Sequence, residues 1–308
     1  MHSDDLAGVR QALGLEALPY ADLAVQRELQ QVLRRWPLLA EPLLPPGPVP
    51  EVPVARPGPR LLGLHGLRGG CGVTALVAGL GLALQSLGQR VLLLDMSPAN
   101  QLRHHCGLPP GEKGGWARAA FARTPWGDAA WQVLPGLCLL PYGTLQAAEQ
   151  GRLEQSLCRA PGFWPERLRR LGASFDWVLL DLPQGLPGHA GASPLDLRLC
   201  LLEADPACHL LLQERPADAD WLLVNRYDPT RPLQRDLLLL WQKSLGGRLL
   251  AQCVHDDEAL REALAHRLPA GLHAPHSLAA DDLRSLATWC LARVARQARM
   301  PQTAEVNG

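Results

Sequence analysis

The amino-acid sequence predicts an α/β fold, a doubly wound and mainly parallel sheet with a small α-helical appendage ahead of it. Three observations carry this. From Leu61 onward, short apolar runs alternate with segments of helical period. The runs are apolar at consecutive positions rather than at every second one, as strands buried on both faces are. The first run opens into a glycine-rich turn and then a helix, the connection that faces ligands in such sheets.

The elements follow in order. The first element is Asp5–Leu15, with Leu6, Val9, Leu13 and Leu15 apolar, and Pro19-Tyr20 breaks it. A second helical segment, Asp22–Leu39, repeats Leu23, Leu29, Val32, Leu33 and Trp36 at helical spacing, with Asp22 as its cap. Two helices this short make no core of their own, so they are expected to dock on a larger body. Pro42 to Arg60 holds eight prolines and no period, which reads as an extended linker. The expected division is therefore 1–41 helical, 42–59 linker, 60–299 nucleotide-binding domain and 300–308 tail. Within the domain, strands are expected at Leu61–His65, Arg90–Asp95, Leu137–Pro141, Trp177–Asp181, Leu197–Glu203, Trp221–Asn225 and Leu249–Val254. Helices are expected at Thr74–Leu87, Leu233–Ser244 and Asp281–Gln297.

Composition narrows the function. A chain of 308 residues, 47% hydrophobic, can bury one full α/β core. Thirty basic residues balance thirty acidic ones, so no broad field draws it to nucleic acid or anionic lipid. Nearly all the basic residues are arginine, with Lys113 and Lys243 as the two lysines. Eight cysteines stand singly in apolar surroundings without a CxxC pair, as buried thiols of a reducing compartment do. The acidic start Met1-His2-Ser3-Asp4-Asp5 lacks a signal-peptide core, and no apolar run approaches the ~18 residues of a membrane span. A cytoplasmic protein without direct membrane insertion is expected. His104-His105-Cys106 has no partner pair at ligand spacing and is not read as a metal site.

The chemistry concentrates at Leu67-Arg68-Gly69-Gly70-Cys71-Gly72-Val73-Thr74. A glycine-rich strand-to-helix turn aims backbone N–H groups at one point, and the helix N-terminus adds positive potential, which makes a phosphate cradle. Thr74 stands where a loop hydroxyl would ligate Mg²⁺. The turn departs twice from the GxxxxGK[ST] pattern: Leu67 replaces its first glycine and Val73 its lysine. Asp95 and Asp181, both ending apolar strands, should emerge beside the turn at the carboxyl edge of the sheet, near the metal and the γ-phosphate.

These residues resemble a known family. Arg68–Thr74 is similar to the deviant Walker A loop, KGGxGKT, of MinD/ParA-type P-loop ATPases. That resemblance implies that Arg68 reaches across a dimer interface to the partner's nucleotide, and that Asn225-Arg226 reads adenine. Gly115-Trp116-Ala117-Arg118, Leu140-Pro141-Tyr142-Gly143, Asp181-Leu182-Pro183, His255–Ala259, Ser277–Ala280 and Trp289-Cys290-Leu291 narrow the resemblance to the BcsQ family of bacterial cellulose secretion systems. Asp5-Leu6, Pro19–Leu23 and Arg35-Trp36-Pro37-Leu38-Leu39-Ala40-Glu41 resemble BcsR, its short partner. The chain thus looks like a fusion of the two, and tethering the helices raises their effective concentration against a docking surface.

The resemblance implies ATP and Mg²⁺ as cofactors and a homodimer as the working form. It also implies two partners, a BcsE-type cyclic-di-GMP-sensing protein and the inner-membrane cellulose synthase complex, with peripheral association at that membrane. The departures fall on catalysis. Val73 cannot stabilise β/γ-phosphate charge, and Ser97 occupies the place of the aspartate that positions water in MinD/ParA proteins. No catalytic residue is assigned, and hydrolysis is expected to be slow or absent. The alternatives are an active MinD/ParA-type ATPase cycling on membrane or DNA for positioning, and a scaffold that binds no nucleotide.

Overall fold

The computed structural model describes residues 23–45, 58–160, 162–171, 174–186, 195–214 and 221–298. The expected Asp5–Leu15 helix, the Asp22 cap, most of the proline-rich stretch and the tail lie outside the described residues. The chain divides into two compact units between Pro42 and Leu43.

In the first unit, helix α1 spans Leu23–Arg35 and a 3-10 turn spans Pro37–Ala40. The sequence suggested one helix to Leu39. Pro37 ends it earlier, because proline drives the preceding residue out of helical geometry, and Trp36 sits at φ −127, ψ 87. The Leu39 N–H then donates to the Trp36 carbonyl at 2.9 Å, which closes the tighter turn.

The second unit is built on a seven-stranded sheet in the order β3-β4-β2-β5-β1-β6-β7. The strands are β1 (Arg60–Gly66), β2 (Val91–Asp95), β3 (Trp131–Leu134), β4 (Leu137–Leu140), β5 (Trp177–Asp181), β6 (Leu197–Glu203) and β7 (Trp221–Asn225). All pairings are parallel except β3 with β4. Every residue of β2, β5 and β7 is buried, which is why their sequences run apolar without alternation. The expected strand Leu249–Val254 is not a strand. It reduces to an isolated bridge at Leu249, with Leu250 N donating to Leu222 O and Val254 N to Val224 O, both at 2.9 Å. Four residues on this segment cover two on β7, so the ladder bulges open.

Helix α2 (Val73–Ser86) follows the glycine-rich turn and is buried from Leu76 through Gly81. A Cβ at Gly79 would come within 2.5 Å of Leu283 Cδ1, and one at Gly81 within 2.4 Å of Leu93 Cδ2. The two glycines therefore let α2 lie close between the sheet and helix α11 (Leu278–Ala298), at a helix-propensity cost of ~1 kcal/mol each. The intervening helices are α3 (Leu102–His105), α4 (Trp116–Ala122), α5 (Ala147–Arg159), α6 (Phe163–Arg170), α7 (Pro206–Glu214), α8 (Pro232–Ser244), α9 (Ala259–Ala265) and α10 (Ala270–His273).

Two of the diagnostic strings form one joint. The Trp116 N–H donates to Pro141 O at 2.9 Å and the Ala117 N–H to Tyr142 O at 3.0 Å. A Cβ at Gly115 would lie 2.2 Å from Gly143 N, so the chains cross closer than any side chain permits. Fully buried Trp116 packs edge-on against Tyr142 and Trp164, at centroid distances of 5.1 and 4.6 Å. Its Nε1–H donates to the Asp95 carbonyl at 2.6 Å, which ties this aromatic core to the end of β2 beside the site.

Candidate functional site

The turn leaves β1 at Gly66 and enters α2 at Val73. It stays in register with the sheet for one more residue, since the Leu67 N–H donates to Leu201 O at 2.7 Å. It then turns through Gly70 (φ +86) and Gly72 (φ +85), left-handed geometry that other residues adopt only at a cost. A Cβ at Gly72 would meet Asn225 Nδ2 at 2.6 Å. That amide, almost fully buried at the end of β7, donates to the Cys71 carbonyl at 2.7 Å and braces the turn from beneath. Asn225 thus sits under the loop with its donor engaged, and its Oδ1 is left buried with no hydrogen-bond partner.

Thr74, in the first turn of α2, meets Asp181 at the end of β5. The two side chains line the same cleft, and Asp181 is only 3% exposed. Burial raises its carboxyl to about 6, against which the nearby Thr74 hydroxyl acts. Its Oδ2 has no partner. Asp95 lies beside it in register on β2. Both Asp95 oxygens accept backbone N–H groups, from Ser97 at 2.9 Å and Leu102 at 3.1 Å. Burial first, then the neighbouring Asp181, push the Asp95 carboxyl well above its ordinary value. Asp181 faces the cleft above the turn, while Asp95 lies one strand behind it, folding the Ser97–Leu102 loop onto the sheet.

At the rim, the Arg68 guanidinium folds back within its own chain. Nη2 donates to Glu203 at 2.6 Å and Asp205 at 2.5 Å, just past the end of β6. Glu203 also accepts from Arg226 Nη1 at 2.8 Å. Chiefly through the Asp205 bond, the Arg68 pKa is raised above its already high value, so its charge is fixed.

The cleft has a volume of about 540 Å³. Every expected loop residue from Arg68 to Thr74 lines it, as do Asp181, Asn225, Arg226 and Ser97. It also takes in residues to which sequence reasoning gave no place in the nucleotide site: His105, Gln184, Asp257 and Arg261. Burial lowers the His105 pKa to about 4, so a neutral imidazole faces the cleft at neutral pH. Gln184 Nε2 donates to Gly66 O at 2.6 Å. Asp257 accepts from Ala259 N at 3.0 Å and Ala279 N at 2.9 Å, joining the starts of α9 and α11. This explains two further diagnostic strings, which meet at that carboxylate.

The residues present fit a phosphate with a divalent cation. The turn is open above Gly69, where a Cβ would meet nothing within 4 Å, so an anion can approach its N–H groups. The orphaned Asp181 Oδ2 and the Thr74 hydroxyl supply oxygen donors of the kind Mg²⁺ takes.

The family model described as cellulose biosynthesis protein BcsQ matches residues 60–291, and one described as BcsR-like matches residues 2–42. The chain is 38% identical over 250 residues to the cellulose biosynthesis protein BcsQ of Salmonella typhimurium LT2, covering 75% of this chain and 94% of the relative. It is 36% identical over 243 residues to the Escherichia coli K12 protein of that name, with the same coverage. Among solved structures it is similar to the septum site-determining protein MinD of Pyrococcus horikoshii OT3 complexed with Mg-ADP. The TM-score is 0.60 at 21% identity, covering 78% of this chain and 99% of that one. Cobyrinic acid a,c-diamide synthase of Mycobacterium smegmatis, with bound ATP analogue and magnesium, gives 0.60 at 21%, covering 80% and 100%. At such identities these two show the fold, that of MinD/ParA-like P-loop proteins.

Proposed function

The chain belongs to the BcsQ family of cellulose biosynthesis proteins and carries a BcsR-like segment ahead of it, and from that premise we propose an ATP-binding regulatory subunit of a cellulose secretion system. ATP–Mg²⁺ is held at the Arg68–Thr74 turn, with Thr74 and Asp181 on the cation. The working form is a homodimer with nucleotide between the protomers, and hydrolysis is slow or absent. The single observation that carries this reading is the Thr74–Asp181 pair facing the open glycine-rich turn, with one carboxylate oxygen unpartnered.

Three features favour binding over turnover. Val73 offers an apolar side chain to the cleft where a lysine would neutralise phosphate charge. Ser97 lines the cleft without a carboxylate. His105, neutral and buried, is a weak base at neutral pH, with its pKa held near 4. What bound Mg²⁺ supplies is charge neutralisation; what this chain supplies is the N–H cradle, the oxygen donors and the rim cations.

Arg68 is the residue through which the protomers join. In the single chain its guanidinium is occupied by Glu203 and Asp205, so dimer formation exchanges those partners for phosphate oxygens, which an arginine fork suits. By family resemblance, the dimer engages a BcsE-type cyclic-di-GMP-sensing protein and the cytoplasmic side of the synthase. Among the described residues no helix is long and apolar enough to cross a membrane. The test is Arg68→Ala in the full chain: an unchanged circular dichroism spectrum, with loss of the ATP-dependent dimer mass in light scattering. A dimer that survives the substitution, or multiple turnover by the wild type at rates ordinary for MinD-type ATPases, contradicts this reading.

A further inference from the structure

An imidazole always carries at least one N–H, so a buried histidine ordinarily finds a hydrogen-bond partner. His105, the last residue of helix α3, has not done so. It is only 8% exposed, and among the described residues its ring makes no hydrogen bond or ion pair. Neither ring nitrogen is sealed off from solvent, and what the residue lines is the cleft.

The fold fixes which part of the cleft this is. Counting outward from β1, which carries the turn, β5 and then β2 lie on one side, and β6 and then β7 on the other. Asn225 and Arg226 border the cleft from the β7 side. Helix α3 belongs to the β2 side: its Leu102 N–H donates to Asp95 at 3.1 Å, and it packs on α2 and α9. His105 therefore stands on the flank of the turn that Asp181 and Ser97 occupy.

We propose that His105 holds the terminal phosphate of the bound nucleotide, donating an imidazole N–H to one of its oxygens. This rests on the nucleotide reading above. The N–H groups of the turn cradle one phosphate, and a cation on Thr74 and Asp181 draws the next toward β5 and β2, where the unpaired ring stands. A lysine at position 73 would have supplied a donor to that phosphate, and Val73 offers none. Burial first, then the neighbouring His104, hold the ring pKa near 4, so at neutral pH the ring has one N–H and no charge. A neutral donor satisfies a phosphate oxygen without neutralising it. It adds affinity for a terminal phosphate and gives little help to its transfer, which accords with slow turnover.

The experiment is NMR of the full chain labelled with ¹⁵N in its histidine rings, with the His105 signals identified by their loss in His105→Gln. The chain is titrated with Mg²⁺ and the non-hydrolysable ATP analogue AMP-PNP, and separately with Mg²⁺ and ADP. The His105 ring signals should move with the analogue and stay in place with ADP. In calorimetry, His105→Ala should weaken the analogue about tenfold, ~1.4 kcal/mol, and leave ADP within about twofold. His105→Gln, which keeps an N–H donor, should recover most of the loss. Should His105→Ala fail to fold, the ring signals of the wild type decide alone. A His105 ring unmoved by an analogue that binds, or equal weakening of both nucleotides by His105→Ala, overturns the inference and leaves the nucleotide site standing. A wild-type chain that binds neither nucleotide refutes the nucleotide reading, and the role of His105 falls with it.

Discussion

Replacing Gly72 by alanine should cost the domain about 2–5 kcal/mol, in two parts that can be measured separately. The first part is conformational: Gly72 sits at φ +85, and a Cβ there costs ~1–2 kcal/mol. The second is a collision, because that Cβ would lie 2.6 Å from Asn225 Nδ2. The amide must withdraw, breaking its 2.7 Å bond to Cys71 O in a site that holds no water-exposed alternative. Leaving that buried pair unmade costs about 1–3 kcal/mol. In an Asn225→Ala background the collision disappears, so Gly72→Ala should then cost only its conformational share. The assay is urea unfolding of the four chains of the cycle, followed by tryptophan fluorescence, with stabilities from linear extrapolation. Equal costs of Gly72→Ala in both backgrounds, or a single-mutant cost below ~1 kcal/mol, would refute the brace between β7 and the turn.

Other predictions concern the carboxylates and the aromatic joint. Asp181 binds its proton more tightly folded, at about 6, than unfolded, so its contribution to stability falls as pH rises from about 4 to about 6. Asp181→Asn should remove that slope from the difference between wild type and variant, and should leave the ligand-free variant the more stable of the two at pH 8 by thermal melting. A variant less stable than wild type at pH 8 would show that the ionised carboxylate is already compensated. By the same linkage, Mg²⁺–ATP binding has to expel the Asp181 proton below about pH 6, so affinity by calorimetry should decline as pH drops through that value; a flat profile from pH 5 to 7 counts against Asp181 as a cation ligand. Trp116→Ala should cost ~3–5 kcal/mol, because it empties a fully buried aromatic site and orphans the Asp95 carbonyl. A loss under ~1 kcal/mol in urea unfolding would mean that the joint between α4 and the β4 end repacks freely.

Much of this was legible in the sequence, for physical reasons that differ by element. Strands β2, β5 and β7 could be read because a strand covered on both faces runs apolar up to its last residue, and the expected bounds of Trp177–Asp181, Leu197–Glu203 and Trp221–Asn225 are those observed. Strand β3 escaped because it is an edge strand, with Trp131 and Gln132 exposed. The Pro135-Gly136 pair before β4, with Gly136 at φ +82, was the turn signal that could have found it. Leu249–Val254 has strand composition but spends residues on a bulge, which depends on its neighbour rather than on itself.

At the site, the turn and the two aspartates were legible because each ends or begins a recognisable element. What Asp95 does there was not, since its two backbone bonds depend on how the Ser97–Leu102 loop folds. Asn225 under the turn and Arg68 on Glu203 and Asp205 both depend on strand order, which brings β6 and β7 to the side of β1. No local pattern encodes those pairs. The departures at Val73 and Ser97 were plain in the sequence, and both now face the cleft.

The central claim is that the Arg68–Thr74 turn holds ATP and keeps it as the bond between two chains. Native mass spectrometry of the full chain, purified in Mg²⁺ without added nucleotide and paired with chromatographic identification of what it releases, tests this most directly. The account predicts a dimer carrying two ATP. A monomer without nucleotide, or a dimer carrying ADP, would contradict it.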